Sequence, residues 1–282
     1  MEATSISPSR STSARPAPLQ LVGGPGYGSA PGRTAGACNA CSMRHGCIAT
    51  TAEPSSGARL LVGQRRVRKG QALYREGAAF HYVYALRAGS FKISTALDGG
   101  REQVTGFPLR GDLIGFDGLA TGFHASTATA LEDAEVCVIP FFEAVGQDAD
   151  PSFGSLVAQC LGTELLRDRQ ALLTLANRQS DARLAAFLLQ MAQRMQLRGW
   201  SPSEFILRMS RAELGSYLGL TMETVSRNFS EFARLGLLTV RKRRIRLLQP
   251  QRLAALCDLA ALPYSYPETV LAVPPRASGT SG

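Results

Sequence analysis

Hydrophobic and polar positions along the chain follow three rhythms in turn. From Ala58 to about Phe142, short apolar runs alternate with glycines, in "RRVRKGQALYREG", "HYVYALRAGSFKIST", "REQVTGFPLRGDLIGF" and "ASTATALEDAEVCVIP". Turn signals recur about every ten residues, at Gly70, Gly77, Gly89, Gly99-Gly100, Gly106 and Gly111. Short strands punctuated in this way predict an all-β barrel or roll. Tyr82, Tyr84 and Leu86 alternate with Val83 and Ala85, the pattern of a strand buried on both faces. The period then changes. Leu161, Leu165, Asp168, Leu172 and Leu175 are spaced 4, 3, 4, 3, the a/d spacing of a coiled-coil seam. Three heptads are few, so an ordinary core-facing helix fits the same spacing. Within a homodimer seam Asp168 faces its own copy, and two like charges in poorly hydrated surroundings repel. That residue would weaken dimerisation and make it adjustable; placed slightly off the seam, it would simply be solvated.

The third rhythm is helical with strong punctuation. A helix is predicted from Ala182 to about Leu197, followed by "MSRAELGSYLGLTMETVSRNFSEFARLGLL", which reads as helix, turn, helix. Ser210 and Glu213 form an S-x-x-E capping box that opens the first helix. Leu214 and Leu218 give it an apolar face, and Gly219 stands where the turn needs a permissive residue. Thr221 caps the second helix and Gly236 ends it. A hairpin follows, "LLTV", "RKRR", "IRLL". Near its N-terminus the second helix carries Glu223, Thr224, Ser226, Arg227 and Asn228, where a recognition helix presents side chains to base edges. Arg bonds guanine O6 and N7, Glu accepts from cytosine N4, and Ser or Thr touches a thymine methyl. The alternative is a plain helical hairpin with exposed polar positions. By contrast, residues 1 to about 34, and from about Pro263 to Gly282, hold too little apolar surface to offset the entropy of ordering, and are expected to be disordered.

Charge sharpens this picture. The 282 residues carry a net charge of +9, and between Asp181 and Gln249 there are twelve Arg/Lys against five Asp/Glu. A basic surplus concentrated in the helix-turn-helix quarter points to a polyanion, with nucleic acid first, against the plainer alternative of a solvated surface. Apolar residues are 45% and charged residues 19% of the chain, the balance of a globular protein. No run of 18 apolar residues predicts a membrane span, and the leader "SPSRSTSARPAP" lacks a signal-peptide core. A cytoplasmic location is expected, where six cysteines serve metal or redox chemistry rather than disulfides. There is no G-x-G-x-x-G loop, no P-loop and no nucleophile–base set, so an enzyme is not expected.

Half of the cysteines lie within ten residues, in "CNACSMRHGC". Cys38, Cys41 and Cys47 follow C-x2-C-x5-C, and Cys137 lies 90 residues on from Cys47, in "EVCVIP". Four thiolates suit zinc or an iron–sulfur cluster. One short hook, one wider spacing and one remote ligand lean toward a cluster, because structural zinc sites usually pair two short hooks. His45 could replace a cysteine, though a solvated loop histidine is the simpler reading. Cys160 and Cys257 lie on apolar helical faces and read as buried thiols. His81 and His124 read as strand-edge or loop residues without a role.

Several of these stretches together resemble the fumarate-and-nitrate-reduction regulators (FNR), the oxygen-sensing branch of the cyclic-AMP receptor protein superfamily. The likeness spans roughly residues 37 to 260. It rests on "CNACSMRHGC", "TGFPLRGDLIGFDGLATGFH", "DARLAAFLLQ", "RGWSPSEFILRMSRAELGSYLGLTMETVSR" and the distance to Cys137. It implies an α+β fold: an N-terminal cyclic-nucleotide-binding-like β-roll sensor domain, a long dimerisation helix and a C-terminal winged helix-turn-helix. The expected division is a disordered leader (1–34), sensor loop plus β-roll (35–150), dimerisation helix (151–180), DNA-binding domain (181–262) and a disordered tail (263–282).

The resemblance further implies that Cys38, Cys41, Cys47 and Cys137 hold a [4Fe–4S] cluster. In that family the cluster supports a DNA-binding dimer without oxygen, and oxygen converts it to [2Fe–2S] and then destroys it. Ser42 matches a position that tunes oxygen reactivity. Asp168 matches an acidic position opposing dimerisation. Glu223, Ser226 and Arg227, flanked by Thr221 and Thr224, match base-reading positions for a TTGAT-N4-ATCAA-like palindrome. The loop Asp98 to Arg101 resembles a surface that touches RNA polymerase. The chain departs from the family in its longer leader and in Ala40 and Gly46 beside the ligands. It also lacks the Arg-Ser pair that holds phosphate in cyclic-nucleotide-binding relatives, so no cyclic nucleotide is expected. A zinc-binding or thiol/disulfide-sensing regulator is the alternative.

Overall fold

The computed structural model describes residues 63–144, 151–176 and 179–257. Cys38, Cys41, Ser42 and Cys47, and both end segments expected to be disordered, lie outside the described residues.

The glycine-punctuated strands form two four-stranded antiparallel sheets. The first has the order β1 (Gly63–Val67), β8 (Ala134–Pro140), β3 (Tyr82–Ala88), β6 (Leu113–Ile114). The second runs β2 (Ala72–Tyr74), β7 (Thr127–Ala130), β4 (Phe91–Leu97), β5 (Arg101–Gly106). Leu73, Tyr84, Leu86, Phe91, Val136 and Val138 are buried together between them. Strand β3 is flanked by β8 and β6, and its Val83, Tyr84 and Leu86 are buried as the two-sided apolar pattern predicted, whereas Tyr82 at the strand's start is 37% exposed and Ala85 is half-buried. Gly106 is different from the other turn glycines. It has no left-handed backbone and closes β5 opposite Ile93, so it is a strand residue. The loop Asp98–Gly100 is a 3₁₀ turn joining β4 and β5.

On the outer face of the first sheet a second cluster forms from Phe80, Val83, Phe116 and Ile139, with Phe141 of the short helix α1 (Phe141–Ala144). The long helix α2 (Pro151–Ala176) covers this cluster with Val157, Cys160 and Leu161. Its 26 residues span about 39 Å.

The C-terminal part is helical with a small sheet. Helices α3 (Ser180–Gln196), α4 (Arg211–Leu218), α5 (Met222–Arg234) and α6 (Pro250–Leu256) surround Leu184, Leu188, Leu214, Leu218, Phe232 and Leu253. The predicted hairpin is β10 (Leu238–Arg241) and β11 (Arg244–Leu247), turning at Lys242 with φ 57°. A third strand, β9 (Glu204–Ile206), pairs with β11. It was not visible in the sequence, because three residues are too few to show a period.

The roll is joined to this part through its edge. Val104, Phe107, Leu109 and Leu131 belong to the same buried cluster as the α3–α5 core. Gln103 Nε2 donates to Ser216 O (2.5 Å) and Val104 N to Ser216 Oγ (2.9 Å), fastening β5 to α4.

Candidate nucleic-acid interface and thiol site

The turn between α4 and α5 is built from short-range signals that all form. Ser210 Oγ accepts from Glu213 N at 3.1 Å and Glu213 Oε2 accepts from Ser210 N at 2.7 Å, completing the capping box. Gly219 ends α4 with φ 62°. Gly215 permits the close return of the chain, since a Cβ there would meet Leu220 O at 2.6 Å. Thr221 Oγ1 accepts from Thr224 N at 3.2 Å and so caps α5.

Helix α5 then divides its faces. Val225, Asn228, Phe229 and Phe232 are buried, while Glu223, Ser226 and Arg227 are exposed and Thr224 is half-buried. Asn228 is therefore not a base reader: it is 7% exposed and its Nδ2 donates to Ser180 Oγ at 3.1 Å. Its i,i+3 relation to Val225 turns it inward. Arg211 lies over the Phe229 ring at 3.4 Å, locking α4 onto α5. Burial lowers its guanidinium pKa to about 10, so it stays charged at neutral pH.

Beside α5 stands a strongly basic hairpin. Ile245 and Leu247 of β11 point into the core, and Arg244 and Arg246 alternate with them on the outer face. With Arg241, Lys242 and Arg243 they make five exposed cations in six residues. Glu204 Oε1 accepts from Arg244 at 2.7 Å.

The described part of the thiol set is Cys137. It is buried, reduced, and lies in β8 between β1 and β3. Its neighbours Val136 and Val138 face the space between the sheets. By strand alternation Cys137 shares the opposite face with Ile139, across from Ala85, on the cluster that α2 covers. Among the described residues, no three His, Cys, Asp or Glu side chains are gathered as a metal site. Cys160 is half-buried on that same cluster, and Cys257 is buried, with its thiol raised to about 11 by burial.

The predicted seam is split by α2. Leu161 packs on the roll, whereas Leu165, Leu172 and Leu175 are 57%, 67% and 37% exposed, joined by Leu173 at 63%. Asp168 is exposed on the same helix, and its carboxyl is raised by burial of its inner side, with Arg167 pulling the other way.

Two family models match the chain: a cyclic nucleotide-binding domain over residues 64–143 and a Crp-like helix-turn-helix domain over residues 182–256. The transcriptional regulatory protein Btr of Bordetella pertussis is 42% identical over 216 residues, 75% of this chain and 89% of that protein. The chain belongs to the CRP/FNR family of regulators.

As a CRP/FNR regulator it is a DNA-binding transcription factor and not an enzyme. The fumarate and nitrate reduction regulatory protein of Salmonella typhimurium is 37% identical over 223 residues, 78% of this chain and 89% of the relative. Among solved structures, FixK2 from Bradyrhizobium japonicum superposes with a TM-score of 0.63 at 32% identity, covering 70% of this chain and 98% of FixK2. The α+β architecture of a cyclic-nucleotide-binding-like roll followed by helices and a helix-turn-helix is that of the family. Among the described residues, no helix is long and apolar enough to cross a membrane.

Two polar clusters in this CRP/FNR regulator escaped the sequence reading. His124 is a loop residue, as expected, but a buried one, 3% exposed. It stacks on Tyr74 with centroids 3.9 Å apart and bonds Asp117 at 3.0 Å. Ser126 Oγ donates to the other Asp117 oxygen at 2.6 Å. The second cluster gathers Arg167, Arg194 and Arg198 around the fully buried side chain of Asp112. No local pattern announces either one, because the partners come from different elements.

Proposed function

We propose that the chain is an oxygen-responsive regulator of the FNR branch, whose anaerobic dimer binds a palindromic TTGAT-N4-ATCAA-like operator. Cys38, Cys41, Cys47 and Cys137 are the ligands of a [4Fe–4S] cluster in this reading, and Ser42 tunes its reaction with oxygen. The observation that carries it is the position of Cys137. A soft, buried thiol on a fully paired strand suits iron or zinc. It lies on the one sheet face against which α2 packs Val157, Cys160 and Leu161. A centre anchored there sits at the root of the helix that exposes Leu165, Leu172 and Leu175. When bound, the cluster supplies an oxygen-labile crosslink between the leader and the roll. The chain's own residues do the rest: α2 pairs with its copy against the Asp168 repulsion, and two α5 helices are presented to one operator.

On DNA, Glu223, Ser226 and Arg227 read base edges, with Thr221 and Thr224 at the helix start. The basic hairpin meets backbone phosphates, which fix register without carrying sequence information. RNA polymerase is the proposed second partner, through the exposed turn Asp98–Gly100 and Arg101. No cyclic nucleotide is bound in this reading. Asp117, Glu164 and Asp168 line the roll-side cavity, and its two arginines, Arg167 and Arg194, already hold Asp112.

Metal and sulfide analysis of anaerobically purified protein tests the reading. About four iron with acid-labile sulfide per chain, and a brown solution bleached by air, are expected. One zinc per chain, or a colourless metal-free protein, would refute the cluster and favour the zinc or thiol/disulfide alternative.

A further inference from the structure

A single buried carboxylate joins three parts of the molecule. Asp112 lies in the loop between β5 and β6, and its side chain is fully buried. Its Oδ1 accepts from Arg167 Nη2 of α2 at 2.7 Å and from Arg198 Nη2, two residues past α3, at 2.5 Å. Its Oδ2 accepts from Arg194 Nη2 of α3 at 2.6 Å and from Leu109 N at 2.8 Å. Four donors thus fill the acceptor positions of one carboxylate. Burial alone would raise this carboxyl, but the three guanidiniums, Arg167 foremost, hold it far below the usual carboxylate range. Arg198 adds bonds to Arg110 O and Arg194 O, both 2.7 Å, so the end of α3 is tied to the roll loop.

The three arginines are not equivalent. Arg194 and Arg198 belong to the helix-turn-helix region, and their side chains are 17% and 4% exposed. Arg167 comes from α2, is 27% exposed, and directly precedes Asp168. It also lines a cavity of about 130 Å³ together with Glu164, Asp168 and Arg194. Arg167 therefore has three anions within its field: Asp112, which it bonds, and Glu164 and Asp168 on its own helix. A change in the electrostatic surroundings of Asp168 acts on Arg167 and Glu164 alike.

We infer that Arg167 is a positioning residue: it relays the state of the α2 seam, through Asp112, to Arg194 and Arg198, and so sets the orientation of the DNA-binding part. The inference rests on the proposed pairing of α2 with a second copy. Pairing of α2 with its copy removes water from the exposed side of the helix beside Arg167 and shifts how Arg167 divides between Asp112 and its own helix, whether or not position 168 is charged. Because Asp112 holds the roll loop and the end of α3 together, that shift bears on α4 and α5 through a continuous set of ion pairs. Coupling of this kind is measured as non-additivity between sites.

The test uses full-length protein prepared without oxygen, with R167Q, R167K, D168A and R167Q/D168A. Dimer content is read by sedimentation, and affinity by anisotropy on the palindromic and on a scrambled duplex. R167Q is expected to melt below wild type, because a buried carboxylate loses a charged partner, and, compared at concentrations where it is fully dimeric, to bind the palindrome about tenfold more weakly, with scrambled binding unchanged. R167K, which keeps the charge, recovers most of the loss. In air, D168A restores both dimer and palindrome binding, whereas R167Q/D168A restores the dimer with palindrome affinity still depressed. An R167Q dimer that binds the palindrome like wild type overturns the relay, and so does full recovery of binding by R167Q/D168A. A wild-type chain that never dimerises overturns the pairing of α2 itself, a separate failure.

Discussion

The two faces of α2 meet opposite fates within one chain. On the inner face, Val157, Cys160 and Leu161 pack on the roll, Thr174 is buried, and Arg167 reaches Asp112. On the outer face, Leu165, Leu172 and Leu173 are more than half exposed, and Asp168, exposed yet also lining the roll-side cavity, stands at the edge between the two faces. A monomer gains nothing from three exposed leucines on one helix. Burying each is worth about 1.5–3 kcal/mol. The inner face thus fixes where α2 stands, and the outer face holds free energy that only a partner surface realises. In the proposed dimer Asp168 sets how readily that energy is released, because two such charges at close range oppose pairing.

The largest expected effect comes from destroying the outer face. Leu165→Asp with Leu172→Asp should leave the thermal transition of the monomer in air nearly unchanged, since both residues are exposed there, but should abolish the anaerobic dimer in sedimentation. A double variant that still dimerises would move the interface elsewhere. Asp168→Ala is the converse change. Removing the repulsion should give measurable dimer in air, a shift of about tenfold for each 1.4 kcal/mol of repulsion relieved. If it remains monomeric in air, Asp168 is not on the seam.

The smallest effect concerns the boundary between the faces. Glu164 lines the inner cavity, and burial, reinforced by Asp168, raises its carboxyl to about 7. A carboxyl raised in the folded state costs stability when it ionises. The cost is absent below the unfolded value of about 4.5, grows as pH rises, and is complete above about 7. Glu164→Gln should therefore match wild type in thermal stability at pH 4 and exceed it by about 1–3 kcal/mol at pH 8. An equal difference at both pH values would show that Glu164 is not displaced from its ordinary titration.

What could be read along the chain and what could not follow the same inner–outer division. The helix-turn-helix was legible because its signals are local: Ser210 caps three residues from Glu213, Gly219 takes the left-handed turn, and Thr221 caps Thr224. The roll was legible as alternation between glycine turns; the leucine spacing marked the helix α2 but not its faces, since Leu161 packs on the roll while Leu165, Leu172 and Leu175 are exposed. Asn228 misled because a polar residue on a recognition helix resembles a base reader until its bond to Ser180, 48 positions away, is known. Asp112 was silent for the same reason. Its partners lie 55, 82 and 86 positions along the chain, and nothing around "RGDLIGF" marks the aspartate as a junction. His124 is a loop residue as read, but its burial against the ring of Tyr74, 3.9 Å away, could not be seen in the sequence. Buried polar groups find their partners through the fold, so tertiary ion pairs and stacks are the last features a sequence discloses.

In the proposed mechanism the thiol centre controls whether the outer face of α2 is paired. Sedimentation of anaerobic wild-type protein, alone and with the palindromic duplex, before and after exposure to air, tests it most directly. A dimer that binds one duplex is expected while iron is retained, and monomers without specific binding once iron is lost. A mass and an affinity that are the same in both conditions, with iron lost only in air, would contradict it.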